Sequence, residues 1–380
     1  MAPRKKKQEL KNMDAEVKES KENVSLSKVK KSLDEKINSI VEKNGTCKVA
    51  IYTHPSPDPD AIGSQMSLSW LLKKSYDNIV VDCFYDGSIS HPQNQRMVNL
   101  LDPDLKEVSD CNEVYDICIA VDTIPINSVC PENTNFDLVI DHHKEAPNGN
   151  FKGFYLNLKA GSCCATIYQL INYYGSKFEE DNDNDAKIAT ALLVGIITDT
   201  EYKTSDDTTD FEHVAYAELF PFRNSSLLKQ ITKYKQPREW VQARACVAQA
   251  AHDRIKDGIL IHGIGFISSN NRDLIAAVAD EMLSWEGVET SVAFAVVDGD
   301  RIEASIRSSN AALAVPNLCK DLGTQVGGEG GGKLGKGSFR YNLDSFKIQN
   351  GEDDDLKNKL WEFIECKEFK RILKNIRGEN

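Results

Sequence analysis

Residues 53–64 read THPSPDPDAIGS, and their setting decides the fold. They follow Lys48–Thr53, a short alternating run that is partly β-branched or aromatic, as in a strand. They lead into Ala61–Lys74, where apolar residues recur at helical spacing. His54 ends the strand, and Asp58 and Asp60 follow within one loop. Pro59 separates the two carboxylates, so in an extended loop they can diverge toward two cations. Ala61 then opens a helix, whose N-terminus favours phosphate. Taken alone, the segment reads equally well as a proline-rich acidic turn.

The same alternation spreads outward. Helical spacing over 25–43 ends at Asn44-Gly45, a natural helix stop. Strand-like runs recur at Ile79–Phe84, Tyr115–Val121 and Phe136–Ile140, with helix-like stretches at Cys163–Tyr174 and Ala186–Thr198. Strands alternating with helices predict an α/β fold with a mainly parallel sheet flanked by helices. After about residue 235 the pattern changes. A helix over Trp240–Ile255 precedes strands at Ile259–Ile267, Thr290–Val297 and Ile302–Arg307, helices at Arg272–Trp285 and Ala312–Leu322, and a glycine-dense loop at 327–337. The expected organisation is a charged, disordered tail over 1–23, a first domain over 24–235 and a linker helix over 236–258. A smaller α/β domain over 259–345 and a charged extension over 346–380 complete it.

Composition narrows the function. The 380 residues suffice for two domains with real cores, and 41% are hydrophobic. The net charge of −12 argues against broad binding of duplex DNA, although a local basic pocket for a few phosphates remains compatible with it. Arg4, Lys5, Lys6 and Lys7 make a short basic tail. The ten cysteines include no C-x-x-C pair, which leaves a structural zinc site without support. No apolar run approaches the ~20 residues of a membrane helix, and the polar N-terminus does not read as a signal peptide. The expectation is a cytoplasmic protein with reduced thiols and no membrane partner.

Three further clusters stand at the ends of apolar runs. Asp122 lies in AVDT, residues 120–123. Asp141, His142 and His143 lie in VIDHHK, residues 139–144. Asp199 lies in GIITDT, residues 195–200, where an ionised carboxylate after so apolar a helix needs a partner. Each has an ordinary reading, as a cap or a surface polar residue. Together they place carboxylates and three of the seven histidines at strand or helix ends, a donor set suited to hard or borderline cations.

In this order the clusters resemble the DHH phosphoesterase superfamily over about residues 47–345, most closely its nano-RNase group of oligoribonuclease and pAp-phosphatase enzymes. The resemblance implies that His54, Asp58 and Asp122 bind one metal ion. It implies that Asp60, Asp122, His142 and Asp199 bind a second, with Asp122 bridging. His143 would face the scissile phosphate as hydrogen-bond donor or acid, and Asp141 would orient the histidine pair. Two Mn²⁺ ions, with Mg²⁺ as a substitute, would activate the attacking water.

The chain's later part, SIRSS at 305–309 and VGGEGGGKLGKGSF at 326–339, resembles the substrate-binding DHHA1 domain. Ser305, Arg307, Gly330, Gly331, Gly332 and Lys333 are the substrate contacts implied. Arg307 can clamp a phosphate bidentately, and glycines let backbone N–H groups approach an anion. The chain departs from the pattern at Lys333, where the family usually has histidine, at Glu329 within the glycines, and at Glu201, often glycine. Pro59, at a variable position, is a further departure.

The implied activity is hydrolysis of short oligonucleotides, dinucleotides or a nucleoside bisphosphate. The alternatives are a RecJ-like single-strand exonuclease, a soluble cyclic-dinucleotide phosphodiesterase and a non-catalytic scaffold. The acidic balance counts against a long single-strand channel, and a full set of ligands counts against a scaffold. The expected partner is a short nucleic acid or small nucleotide; a homodimer is compatible with the sequence.

Overall fold

The computed structural model describes residues 24–125, 130–144, 147, 151, 153–348 and 354–378. The basic tail expected at 1–23 lies outside them. The chain divides into two compact units, one reaching Ile89 and resuming over Gln93–Tyr234, the other comprising Ser90–Pro92 and the chain from Lys235 onward.

The first unit runs α1 (Leu26–Asn44), β1 (Cys47–Tyr52), α2 (Pro59–Ser75), β2 (Ile79–Tyr85), α3 (Pro92–Leu101), β3 (Leu105–Glu107), β4 (Ile117–Val121), β5 (Leu138–Ile140) and β6 (Phe154–Leu156). Four helices follow: α4 (Cys163–Tyr174), α5 (Asp183–Asp199), α6 (Asp210–Leu219) and α7 (Ser225–Thr232). The six strands form one sheet in the order β3-β2-β1-β4-β5-β6, every pairing parallel. Strand β1 shows why its sequence is apolar almost throughout. Val49 and Ile51 face a core shared with α1, α2, α4 and α5, while Ala50 and Tyr52 face a second core with Phe84, Phe136 and Tyr155. A strand covered on both faces has no polar side to display. Helices α2 and α5 lie against each other, which explains why α5 is buried from Ile188 to Ile197.

The strand order reverses between β1 and β4. Such a switch opens a crevice at the carboxyl ends of the strands, where α/β proteins place their ligands. His54, Asp122 and Asp141 all lie just beyond the carboxyl ends of β1, β4 and β5.

The second unit contains α8 (Arg238–Arg254), β7 (Ile259–Ile267), α9 (Asp273–Leu283), β8 (Thr290–Val297), β9 (Arg301–Ser308), α10 (Val315–Thr324), β10 (Glu329–Lys333), β11 (Lys336–Asn342) and α11 (Asp354–Arg377). Its sheet has the order β10-β11-β9-β8-β7, with only β7 and β8 parallel. Strand β8 again separates two cores: Val292, Phe294 and Val296 on one face, Ala293, Ala295 and Val297 on the other.

Three expectations change here. The helix expected as a linker is α8, and its Trp240 and Val247 are buried with Leu274, Val278 and Met282 in the unit's own core. The charged last 30 residues supply α11, whose Ile364 and Ile372 close the opposite core. The glycine-dense loop is a β-hairpin, with β10 as an edge strand. A Cβ on Gly330 would lie 2.0 Å from the Cys319 carbonyl oxygen of α10, so at that position the glycine is a packing requirement. Among the described residues no helix is long and apolar enough to cross a membrane.

Candidate metal and phosphate site

Several side chains of the four acidic and histidine clusters are held by local devices. Asp58 is the N-cap of α2: its Oδ1 accepts from the backbone N–H groups of Asp60 and Ala61 at 2.9 and 3.0 Å. Asp60 sits in the first turn of the same helix, almost fully buried. Its Oδ2 and Oδ1 accept from Cys163 N and Cys164 N at 2.6 and 2.8 Å, the exposed donors at the start of α4. Gly195 makes room for this, because a Cβ there would lie 3.0 Å from Asp60 Oδ1 and from its Cα. His54 Nδ1 lies 3.0 Å from Pro55 O, the arrangement of an N–H donating to that carbonyl, which turns Nε2 toward Asp122 at 3.5 Å.

Asp122 takes φ +55°, a left-handed conformation unusual for a non-glycine residue and common where a functional side chain must be aimed. Its carboxylate is 3% exposed. Its Oδ1 is buried without an aligned hydrogen-bond donor, although His142 Nε2 stands 3.4 Å away. His142 Nε2 is also 3.4 Å from Asp199 Oδ2 and 3.8 Å from Asp60 Oδ2. Three overlapping groups thus have ligand atoms mutually within 4.8 Å: His54–Asp58–Asp122, Asp60–His142–Asp199 and Asp122–His142–His143. The structure brings all six residues expected as ligands into this one cage.

Charge makes the cage a candidate site for cations. Burial alone would lower the pKa of His54, but Asp122 and Asp58 push it up to about 10. Burial likewise opposes a proton on His142, yet Asp122, Asp60 and Asp199 push it up to about 10. Burial and the charges of Asp122 and Asp199 drive Asp60 well above the usual carboxylate range. Asp122 is lowered despite its burial, because His142 and His54 both face it. Four carboxylates and two imidazoles gathered in one cage offer a donor set that divalent cations fit, and the buried Oδ1 of Asp122, which has no aligned donor, is a candidate ligand atom within it.

His143 differs from His142. Its Nδ1 is 2.8 Å from Asp141 Oδ1, and that bond raises its pKa against the opposing effect of burial. Its ring is half exposed and lies 4.4 Å, centroid to centroid, from that of His142. Asp141 is fully buried and therefore orients His143 rather than the histidine pair expected.

The second unit holds the other expected contacts. Arg307 is largely buried and already forked onto Asp280, Nε to Oδ1 at 2.6 Å and Nη2 to Oδ2 at 3.3 Å. Its Nη1 donates to Ser305 Oγ at 2.7 Å and to the Ile306 carbonyl at 3.1 Å. Gly330, Gly331, Gly332 and Lys333 form β10, where a Cβ on Gly332 would meet Lys336 O at 2.2 Å while one on Gly331 would meet open space.

Sequence reasoning missed the groups that hold the cage. Cys163 and Cys164 act through backbone N–H groups, invisible in side-chain chemistry; Ser162, the N-cap of α4, is the only local sign. Gln65, fully buried, donates to the carbonyls of Ile51 at 3.0 Å and Phe84 at 2.9 Å and so joins β1 to β2.

An all-parallel sheet with a carboxylate–histidine cage at its switch point makes a candidate metal site at the place where α/β proteins bind ligands. The sequence matches the DHH family, N-terminal domain, over residues 48–196. Residues 48–196 thus carry a DHH-family N-terminal domain. It is 30% identical over 338 residues to an uncharacterised protein of Methanocaldococcus jannaschii, covering 86% of this chain and 66% of that one. It is 27% identical over 197 residues to the bifunctional oligoribonuclease and PAP phosphatase of Bacillus subtilis, covering 49% of this chain and 58% of that one. The chain thus spans about two thirds or less of the length of these two relatives. The solved exopolyphosphatase-related protein of Bacteroides fragilis shares the fold, with a TM-score of 0.59 at 16% identity, covering 90% of this chain and 96% of that one.

Proposed function

We propose that this protein is a two-metal phosphodiesterase or phosphatase acting on short oligonucleotides, dinucleotides or a nucleoside bisphosphate. The observation that carries the reading is the position of Asp122. One carboxylate faces His54 through Oδ2 and His142 through Oδ1, so it can be shared between two ion sites. His54, Asp58 and Asp122 would hold one ion; Asp60, Asp122, His142 and Asp199 would hold the other. Such a pair supplies Lewis acidity and a water acidified enough to attack phosphorus near neutral pH. Imidazole nitrogen in both sets favours Mn²⁺, with Mg²⁺ as a substitute.

The protein's own residues do the rest. Asp58 spends Oδ1 on the start of α2 and keeps Oδ2 for the cage. Asp60 is fixed in plane by two backbone donors. His143, with Nδ1 tied to Asp141, presents Nε2; a proton held there can be donated to a phosphate oxygen or to the leaving group. The second unit would supply substrate contacts through Ser305, Arg307, Gly330, Gly331, Gly332 and Lys333. In place of the family's usual histidine, Lys333 would offer a positive charge on a flexible stem.

The test is product analysis by mass spectrometry on a mixed panel with Mn²⁺. The panel holds cyclic dinucleotides, linear dinucleotides, a 24-mer and adenosine 3′,5′-bisphosphate. Turnover confined to the short linear substrates and the bisphosphate is expected. Preference for the 24-mer, or no metal-dependent turnover at all, would overturn the reading.

A further inference from the structure

His143 stands beyond the end of β5 in a segment without regular structure, so its aim depends on side-chain anchors. Asp141 fixes its ring. A second anchor fixes its backbone: Asn157 Nδ2 donates to the His143 carbonyl at 2.8 Å. The other N–H of the same amide donates to Tyr155 Oη at 2.8 Å, and its Oδ1 accepts from Lys159 N at 2.7 Å. Three different groups satisfy the amide, and they also fix which end is nitrogen, since an oxygen turned toward the His143 carbonyl would face another acceptor. Asn157 is 8% exposed and lies just past β6, the strand paired with β5.

The bond to Lys159 is an ordinary side-chain turn and needs no functional account. The bond to a carbonyl fourteen residues earlier is different, because it joins two strand ends across the sheet. We infer that Asn157 is a positioning residue for His143: with Asp141 on the ring and Asn157 on the backbone, Nε2 is held toward the cage. The inference rests on the role proposed above for His143. Loss of such an outer support costs about 10–100-fold when it aims a working group.

Two variants of the full chain test it. Asn157→Ala removes all three bonds. Asn157→Asp keeps the acceptor for Lys159 but sets an oxygen against the His143 carbonyl. Both are expected to lower kcat about 10–100-fold, with KM and metal affinity within about twofold of wild type. A second readout does not need turnover. In Mg²⁺-loaded protein labelled with ¹⁵N-histidine, the His143 Nδ1–H resonance, assigned by its loss in His143→Ala, is expected to be slow to exchange. In Asn157→Asp it should broaden or vanish. Unchanged kcat or a persistent resonance in Asn157→Asp overturns the inference. If the wild-type protein hydrolyses nothing on the panel, the resonance decides alone, so failure of the functional reading is seen separately from failure of this one.

Discussion

His142 reaches Asp122 and Asp199 at the same distance, 3.4 Å from one Nε2 nitrogen to an oxygen of each. One imidazole nitrogen cannot hydrogen-bond two carboxylates well, but the same three atoms can converge on one cation. The geometry therefore looks toward a metal rather than toward a salt bridge. Replacing Asp122 removes the atoms common to both ion sites. Asp122→Ala should lower Mn²⁺-dependent hydrolysis by at least about a hundredfold, more than an outer-shell loss costs, while circular dichroism stays native. Normal turnover in that variant would sink the two-metal mechanism.

The protons in the cage give a second expectation. In the metal-free protein His54 and His142 are raised to about 10, so both carry a proton at pH 7. A nitrogen ligand must be deprotonated, so metal binding must expel protons, and apparent affinity should rise with pH up to about 10. Calorimetric titrations in two buffers of different ionisation enthalpy measure the release directly. The sign for stability follows from the same shifts. A raised folded pKa means that the native state binds more protons than the unfolded chain. The contribution is present below the ordinary histidine value near 6.5 and is lost as pH rises toward 10. Asp60, also raised, acts in the same direction. The melting temperature of chelator-treated protein should therefore fall between pH 7 and 10, and saturating Mn²⁺ should flatten that fall. A metal-free melting temperature that climbs over this range would contradict the assigned protonation.

The cage was legible in the sequence because its members are polar residues at the ends of apolar runs. Asp122 and Asp141 follow strands buried on both faces, so any charge there stands out. What holds the cage was not legible. Cys163 and Cys164 contribute only backbone donors, and nothing local marks Asn157 as reaching back to His143. Strand β10 was misread for a related reason: glycines carry no side-chain alternation, and an edge strand has only one neighbour to impose it. The role of α8 turned on Trp240 and Val247, both fully buried in a helix whose other described positions are exposed or half-buried.

Arg307 and Asp280 make a third test. The guanidinium is largely buried and its fork is closed on Asp280, whose own side chain is about half exposed. A substrate phosphate can take the fork only by displacing that carboxylate or sharing it. Asp280→Asn keeps the shape and removes the competing charge, so it should lower KM for a short nucleotide by about 3–10-fold, the size of a modest surface charge effect. Arg307→Ala should raise KM and leave metal affinity unchanged. If both variants leave KM as in wild type, Arg307 only holds β9 against α9.

The adjacent glycines of β10 separate packing from binding. Gly330 abuts α10, where an added Cβ would lie 2.0 Å from Cys319 O and 2.6 Å from its carbonyl carbon. Neither partner is the movable end of a side chain, so the strand must shift, and Gly330→Ala should cost about 2–3 kcal/mol or more. Gly331, one residue on, has open space where its Cβ would be, and its φ is not left-handed. Gly331→Ala should therefore leave the denaturant midpoint within the range of ordinary surface changes, about 0.5 kcal/mol. The substrate reading adds a further demand, because a methyl group there would cover backbone that an anion must approach. Gly331→Ala should then weaken nucleotide binding without loss of stability. If it binds as wild type does, the glycines serve the packing of β10 on α10 and nothing more.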